Sequence, residues 1–149
     1  MELVDFIVKA KKQTYASGKP ARKLEDGFEE FVYEEGGYKY RDKYHAEDPK
    51  PFGGEEIVWQ NGKAIWIMNY YGYMLSDNID SKRVYGFLRK AMSLVDEQRP
   101  FRGPSHLKEG DFEYIDEGKG TLDNFKGTER ILYKGEDVYR LEYHGGRVQ

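Results

Sequence analysis

The sequence contains no cysteine, only three histidines and no long apolar run. The absence of cysteine excludes disulfides, thiolate zinc sites, iron–sulfur clusters and a cysteine nucleophile. The histidines, His45, His106 and His144, lie far apart and show no metal-ligand spacing such as H-x-x-x-H. No run approaches the roughly 20 apolar residues of a membrane span. We therefore expect no metal site, no cofactor and no membrane association.

Signals for targeting and for common catalytic motifs are also missing. The N-terminus has neither a basic region nor a long apolar region, so no signal peptide is predicted and a cytoplasmic location is expected. There is no phosphate-binding loop, nucleophile elbow, zinc-protease motif or dinucleotide fingerprint. The 24 basic and 27 acidic residues nearly balance, so direct nucleic-acid binding is not expected. The charged fraction of 34% is compatible with a thermophilic source.

Aromatic residues are abundant instead. The 149 residues include 13 tyrosines, 8 phenylalanines and 2 tryptophans, against 24 leucine, isoleucine and valine residues. Large rings must therefore supply as much of the interior as aliphatic side chains do. Because a buried tyrosine hydroxyl usually needs a hydrogen-bond partner, a cluster of tyrosines favours a cleft. The alternative is that the rings simply pack between sheet and helices.

The periodicity predicts two helices and a set of strands. The helices span residues 2–17 and 78–97, the second with Asp80 or Ser81 as its N-cap. Asn61-Gly62 is a strong signal for a two-residue hairpin turn. Alternating aromatic and β-branched residues predict strands over Phe28–Tyr33, Tyr38–Tyr44, Glu56–Trp59, Ala64–Tyr71, Asp111–Asp116, Glu129–Tyr133 and Val138–Tyr143.

The two halves of the chain resemble each other. Phe6–Ala10 matches Phe87–Ala91, and Tyr38–Asp42 matches Phe112–Asp116. A third block, from Gly54 to Gly72, matches residues 127–145 at its glycines, glutamate and apolar positions. Three blocks in the same order indicate a duplication, with repeats of approximately 1–75 and 78–149 in a single domain over 1–149. Chance similarity of two amphipathic hairpins is the alternative.

Each half then reads helix–strand–strand–strand, which predicts an α+β fold. Two such units would form an antiparallel sheet with both helices on one face. Shifted circularly by one strand, this order loosely resembles the gyrase-inhibitor-like effector-binding domains. Those domains are also duplicated and bind small molecules in a central cleft, so the resemblance implies an effector site.

The candidate ligand-binding residues come from the ring-rich strands and from the few polar groups near them. Glu56 and Glu129 occupy equivalent positions, where they would form a carboxylate pair or instead face water. Arg102, inside the Pro100–Pro104 turn, would clamp an anionic group or instead form a structural salt bridge. His144 precedes a glycine pair that would present backbone N–H groups to an anion or simply end a strand. The full candidate set is Tyr40, Trp59, Trp66, Tyr70, Tyr143, Glu56, Glu129, Arg102 and His144.

The chain also resembles an uncharacterised bacterial and archaeal domain family that occurs fused behind Xre-type helix-turn-helix domains. The resemblance rests on Phe6, Ala10-Lys11-Lys12, Thr14-Tyr15-Ala16, Tyr38-Lys39-Tyr40-Arg41-Asp42-Lys43-Tyr44, Phe52-Gly53-Gly54-Glu55-Glu56, Trp59, Met68-Asn69-Tyr70-Tyr71-Gly72, Pro100-Phe101-Arg102-Gly103-Pro104 and His144-Gly145-Gly146. It carries over no activity and no catalytic residue. The fusion partners imply a sensor role associated with transcription regulators, although this chain has no helix-turn-helix segment.

Three functions follow from these observations. The first is a non-enzymatic domain that binds a small-molecule effector in an aromatic cleft, with Glu56 or Glu129 meeting a polar or cationic group. The second is a protein-interaction module that forms a homodimer through a sheet edge. The third is an enzyme that uses the paired carboxylates with His144.

Overall fold

The computed structural model describes all residues, 1–149, as one large sheet with two α-helices. The helices are α1 (Leu3–Gln13) and α2 (Ser81–Met92), and a short 3-10 helix (Tyr15–Ser17) follows α1. The strands are β1 (Arg22–Lys23), β2 (Glu29–Glu35), β3 (Tyr38–His45), β4 (Phe52–Gln60), β5 (Lys63–Met74), β6 (His106–Glu109), β7 (Phe112–Thr121), β8 (Asn124–Tyr133) and β9 (Glu136–Arg147). The α+β class is confirmed.

All nine strands belong to one antiparallel sheet, in the order β1-β2-β3-β4-β5-β9-β8-β7-β6. Strands β1–β5 come from the first half of the chain and β6–β9 from the second, so β5 and β9 join the halves at the centre. Phe6 of α1 stacks on Tyr38 of β3, and Phe87 of α2 stacks on Phe112 of β7. Both helices therefore cover the same face, which we call the inner face.

The predicted elements occur, with shifted ends. The first predicted helix is interrupted at Thr14. The second begins at Ser81 because Asp80 caps it through the amide of Lys82, and it ends at Met92 instead of residue 97. Asn61 and Gly62 both have positive φ, as the predicted hairpin turn requires. The sequence reasoning missed β1 and β6, because strands of two and four residues are too short to show an alternating pattern.

The core lies between the helices and the inner face. It is one connected cluster of 24 buried residues drawn from both halves of the chain. Trp66, Met68 and Tyr70 alternate inward along β5, as the pattern predicted. Neither helix is long and apolar enough to cross a membrane.

Candidate functional site

Four carboxylic acids are buried on the inner face of the sheet. Asp42 on β3 lies directly opposite Glu56 on β4, and Asp116 on β7 lies directly opposite Glu129 on β8. Each of the four side chains is less than 5% exposed. Buried carboxylates are costly unless they are paired or hydrogen-bonded, so their partners decide what each can do.

In the first half of the chain, tyrosine hydroxyls bind both acids. Tyr40 donates to Oε1 of Glu56 at 2.6 Å, and Tyr70 donates to Oδ1 of Asp42 at 2.5 Å. Tyr40 lies two residues before Asp42 on the same strand, whereas Tyr70 reaches across β4 from β5. The hydroxyls therefore satisfy one oxygen of each carboxyl group.

The second half repeats this arrangement with its own residues. Tyr114 donates to Oε2 of Glu129 at 2.6 Å, and Tyr143 donates to Oδ1 of Asp116 at 2.8 Å. Tyr143 crosses β8 from β9 just as its counterpart crosses β4. Both halves therefore build an acid pair held by two tyrosines.

A glycine lies beneath each crossing tyrosine. Gly54 is the partner of Tyr70 in the β4–β5 register, and Gly127 is the partner of Tyr143 in the β8–β9 register. A Cβ atom on Gly54 would lie 2.5 Å from the Tyr70 hydroxyl, and one on Gly127 would collide with the Tyr143 ring. Only glycine leaves room for a ring to lie over the neighbouring strand and reach the acid beyond it.

The two glutamates differ in how completely they are satisfied. Arg102 binds Glu129 through two hydrogen bonds of 2.9 and 3.1 Å, and Tyr139 adds a third donor at 2.8 Å. With the Tyr114 hydroxyl, each Glu129 oxygen accepts two hydrogen bonds. Burial, the largest single effect, disfavours the charged guanidinium, but the charge and hydrogen bonds of Glu129 together with Tyr139 and Tyr15 raise the pKa of Arg102 well above its usual value. This pair is a closed structural unit.

Glu56 has fewer partners. Lys11 of α1 lies 2.8 Å from Oε1 and also donates to the carbonyl of Phe101 at 2.6 Å. In the first half, Trp66 occupies the position equivalent to Tyr139. Its side chain has no hydroxyl, and its indole N–H donates to the carbonyl of Leu122. Both protein donors to Glu56 thus bind Oε1, and Oε2 receives none.

Asp42 is the only one of the four acids without a salt bridge. Lys11 pairs with Glu56, Arg102 with Glu129, and Arg99 lies 3.4 Å from Oδ2 of Asp116. No basic side chain lies within 4 Å of the carboxylate oxygens of Asp42, whose Oδ2 accepts no hydrogen bond, as is also true of Oδ2 of Asp116. Asp42 therefore has no direct ion-pair partner, although the charges of Lys11 and Arg102 lie near enough to oppose the effect of burial on its pKa.

The surroundings shift the pKa values of both aspartates upward. Burial, followed by the nearby charge of Glu56, raises the pKa of Asp42 to about 7. Burial and the charge of Glu129 raise the pKa of Asp116 to about 6. A carboxylic acid with a pKa near 7 can either donate or accept a proton under physiological conditions.

A cavity of about 150 Å³ opens beside the first acid pair. Asp42 and Glu56 line it together with Lys11 and Arg102, and exposed residues of the β3–β4 loop, such as Glu47 and Lys50, contribute to its edge. Its walls are aromatic: Tyr15, Tyr40, Tyr44, Phe52, Tyr70, Tyr85 and Phe101. Asp116 and Glu129 do not line this cavity. We call it the Asp42 cavity.

A family model described as "Domain of unknown function (DUF5680)" matches residues 42–148. The chain belongs to this family. The matched part contains both acid pairs and three of the four tyrosines that bind them. The fourth, Tyr40, precedes the matched part, as do Lys11 and Tyr15. No curated protein and no solved structure matches the chain. The resemblance to a family without an assigned activity is thus confirmed at the level of the DUF5680 family.

The structure brings four of the predicted site residues together at one cavity. Tyr40, Tyr70, Glu56 and Arg102 all line the Asp42 cavity. Glu129 is fully buried next to them, behind Arg102, so neither predicted glutamate faces water. No cluster of three or more histidine, aspartate or glutamate side chains is arranged to hold a metal ion.

The other four predicted residues lie elsewhere. Trp66 is fully buried and stacks on Phe125, and Tyr143 is buried over Asp116. Trp59 lies beside Lys39 and Arg41 on the outer face. His144 is exposed on β9 and points away from the acids, because it alternates with the inward-facing Tyr143. These side chains do not line the Asp42 cavity.

Sequence reasoning did not select Asp42, Asp116 or Lys11, although each left a signal. Asp42 and Asp116 end the matched blocks Tyr38–Asp42 and Phe112–Asp116, on the same strand face as the tyrosines. Lys11 lies four residues after Ile7, on the buried stripe of α1. A charged residue on an apolar helix stripe indicates a buried ion pair.

Proposed function

We propose that this chain is a non-enzymatic domain that binds a small molecule in the Asp42 cavity. One observation carries the proposal: of four buried acids, the one that lacks an ion pair also lines a cavity with aromatic walls. A buried carboxylate that has one hydroxyl donor and no ion pair costs free energy when it is charged, so a protein that only had to be stable would not benefit from it. A bound molecule would supply the missing partner.

The two acid pairs support this proposal because their carboxyl groups have different partners. We infer that the halves arose by duplication, since tyrosine, aspartate, glycine and glutamate occupy matched positions in each. In the second half Arg102 and Tyr139 complete the contacts of Glu129. In the first half no arginine and no second hydroxyl reach Glu56. One repeat would thus serve stability and the other binding.

The size of the cavity limits the ligand. Sites for drug-sized molecules usually span roughly 300–1,000 Å³. An apolar cavity of about 150 Å³ is known to hold a single benzene ring, and the Asp42 cavity has a similar volume of ≈ 150 Å³. We therefore expect a ligand with one small ring or a comparable apolar body. A cytoplasmic sensor role, which the resemblance to domains fused behind Xre-type helix-turn-helix domains implies, would suit a small effector.

A fragment screen by NMR tests the proposal. Single-ring fragments would be added to ¹⁵N-labelled protein, and we expect amide shifts at Asp42, Tyr15 and Phe52. In Asp42→Asn these fragments should bind more weakly, whereas Asp116→Asn, the matched control outside the cavity, should bind them normally. Native mass spectrometry of gently purified protein would reveal a ligand carried from the cell. If no fragment shifts the cavity amides and no ligand co-purifies, the proposal is wrong.

A second candidate function is acid–base catalysis by Asp42 and Glu56. Asp42, with a pKa of about 7, lies directly opposite Glu56, and Glu56 forms an ion pair with Lys11. This arrangement favours the second candidate. Two carboxyl groups with different environments can act as acid and base. Turnover of a bound fragment that is lost in both Asp42→Asn and Glu56→Gln would support it. Homodimer formation through a sheet edge stays a prediction, which light scattering would test.

A further inference from the structure

We propose that the ligand of the Asp42 cavity is a small organic cation, such as a protonated amine or amidine attached to a flat apolar body. This inference rests on the proposed function and names the chemical class of its ligand. It is carried by the balance of charges around the cavity, by the free carboxylate oxygens and by the aromatic walls.

The charges around the cavity favour a positive ligand. Four carboxylic acids line it, Asp42, Glu47, Asp48 and Glu56, against the three basic residues Lys11, Lys50 and Arg102. Arg102 is already neutralised by Glu129, which lies behind the wall. Two basic groups therefore remain for four acids, and an anionic ligand would meet unfavourable charge.

The free oxygens show where a positive group would bind. Tyr70 occupies Oδ1 of Asp42, and Tyr40 and Lys11 occupy Oε1 of Glu56. Oδ2 of Asp42 and Oε2 of Glu56 accept no protein hydrogen bond, and the two residues are opposite each other on adjacent strands. A group with several N–H donors can satisfy both oxygens at once, as an ammonium or amidinium does.

The walls suit the rest of such a ligand. Aromatic faces attract cations, with the interaction strengthened where water is excluded. The guanidinium of Arg102 lies 5.4 Å from the centre of the Tyr70 ring, so that ring already has a cation beside it, and a ligand cation would use the other aromatic walls. The rings of Phe52 and Phe101 provide apolar surface for a flat body.

Three matched probes test the ligand class: benzylamine, benzyl alcohol and benzoate, which share one ring and differ in charge. Their affinities would be measured by isothermal titration calorimetry at a pH above 7. We expect benzylamine to bind roughly tenfold or more tightly than benzyl alcohol, and benzoate not to bind. Asp42→Asn should remove most of the advantage of benzylamine, whereas Asp116→Asn should keep it.

A pH series in the unmodified protein gives a second test that does not depend on a variant folding. Burial raises the pKa of Asp42 to about 7, so benzylamine must displace a proton below that pH. Its affinity should fall by up to about tenfold per pH unit below 7, and benzyl alcohol should show no such change. The proton released on binding should appear as a dependence of the measured enthalpy on the buffer.

The outcomes separate this inference from the proposed function. If neutral or anionic fragments bind in the cavity while benzylamine binds no better, the ligand is not a cation, and the proposed small-molecule binding is still supported. If no fragment of any charge reaches the cavity, both fail. A preference for benzylamine that persists unchanged in Asp42→Asn would also overturn the inference, because another site would then supply the charge.

Discussion

Four carboxylic acids are buried on the inner face of the sheet, and the partners of each side chain determine the free-energy cost of burying it. Glu129 accepts hydrogen bonds from Arg102, Tyr114 and Tyr139, which offset the loss of water. Asp42 has one hydroxyl donor and no basic partner. Two chemically similar residues on the same inner face thus have different roles, one structural and one, as we propose, for binding.

The difference between the glutamates predicts different effects on stability. Glu129→Gln leaves the guanidinium of Arg102 buried without a counter-charge, so we expect a loss of about 3–5 kcal/mol in the free energy of unfolding. Glu56→Gln should cost less, because Lys11 keeps its bond to the Phe101 carbonyl and burial lowers its pKa, which eases its neutralisation. Urea denaturation of both variants checks the order, and an equal loss would contradict it.

The raised pKa values predict how stability changes with pH. The folded state holds a proton on Asp42 up to about pH 7, whereas an unfolded aspartate loses it near pH 4. This contribution to stability is therefore complete below about pH 4 and is lost as the pH rises to about 7. Asp116, with a pKa of about 6, acts in the same direction over a narrower range.

Asp42→Asn should remove the contribution of Asp42 to the pH dependence of stability. Relative to the unmodified protein, the variant should gain stability as the pH rises from about 4 to 7, by at most about 1.4 kcal/mol per unit. Asp116→Asn should show a similar gain that ends near pH 6. Urea denaturation at several pH values measures both, and parallel curves for the unmodified protein and Asp42→Asn would refute the assignment.

At the scale of the elements, the strands control the site through what lies beneath each tyrosine. Tyr70 reaches Asp42 only because β4 carries Gly54 at the crossing point, and Tyr143 reaches Asp116 over Gly127 in the same way. The tyrosine thus links three adjacent strands through one hydrogen bond. A side chain added at either glycine would separate the ring from its acid.

Gly54→Ala and Gly127→Ala form a matched pair that separates binding from stability. Both should destabilise the fold, by on the order of 2 kcal/mol, because the added methyl group forces a buried ring to move. Only Gly54→Ala should also weaken benzylamine binding, since it displaces Tyr70 from the wall of the Asp42 cavity. Thermal melts and calorimetry measure the two effects, and equal loss of binding in both variants would be evidence against the location of the site.

At the scale of the whole molecule, the halves share a core and complete each other's contacts. Lys11 donates to the carbonyl of Phe101, Trp66 donates to that of Leu122, and β5 pairs with β9 along nine residue pairs. Arg102 from the second half also lines the cavity of the first. The site therefore needs both halves.

This sharing predicts that neither half folds alone. Fragments 1–77 and 78–149 should each lack a cooperative melt, because separation exposes the inner faces of β5 and β9 and the central hydrogen bonds. Mixed together, they should regain the circular dichroism of the intact chain. A cooperative transition in either isolated fragment would show that the halves are independent folding units.

Much of the fold was predictable because strands and turns follow from residue patterns that are local in the sequence. Alternation along Tyr38–Tyr44 and Ala64–Tyr71 follows from the two-residue period of a strand, and Asn61-Gly62 adopts its turn because both positions tolerate positive φ. The ends of the strands were less predictable. Strand β7 continues to Thr121, five residues past its predicted end, because pairing with β8 supports residues with no apolar pattern.

The amino-acid pattern alone places tyrosines and acids on one strand face in each half, since spacing along a strand controls which side chains point together. Which acid pairs with a cation depends instead on tertiary contacts. Arg102 comes from a loop to Glu129, and Lys11 comes from a helix to Glu56. Such pairing depends on the three-dimensional packing of distant segments, which no local pattern encodes. That packing leaves Asp42 unpaired beside a cavity.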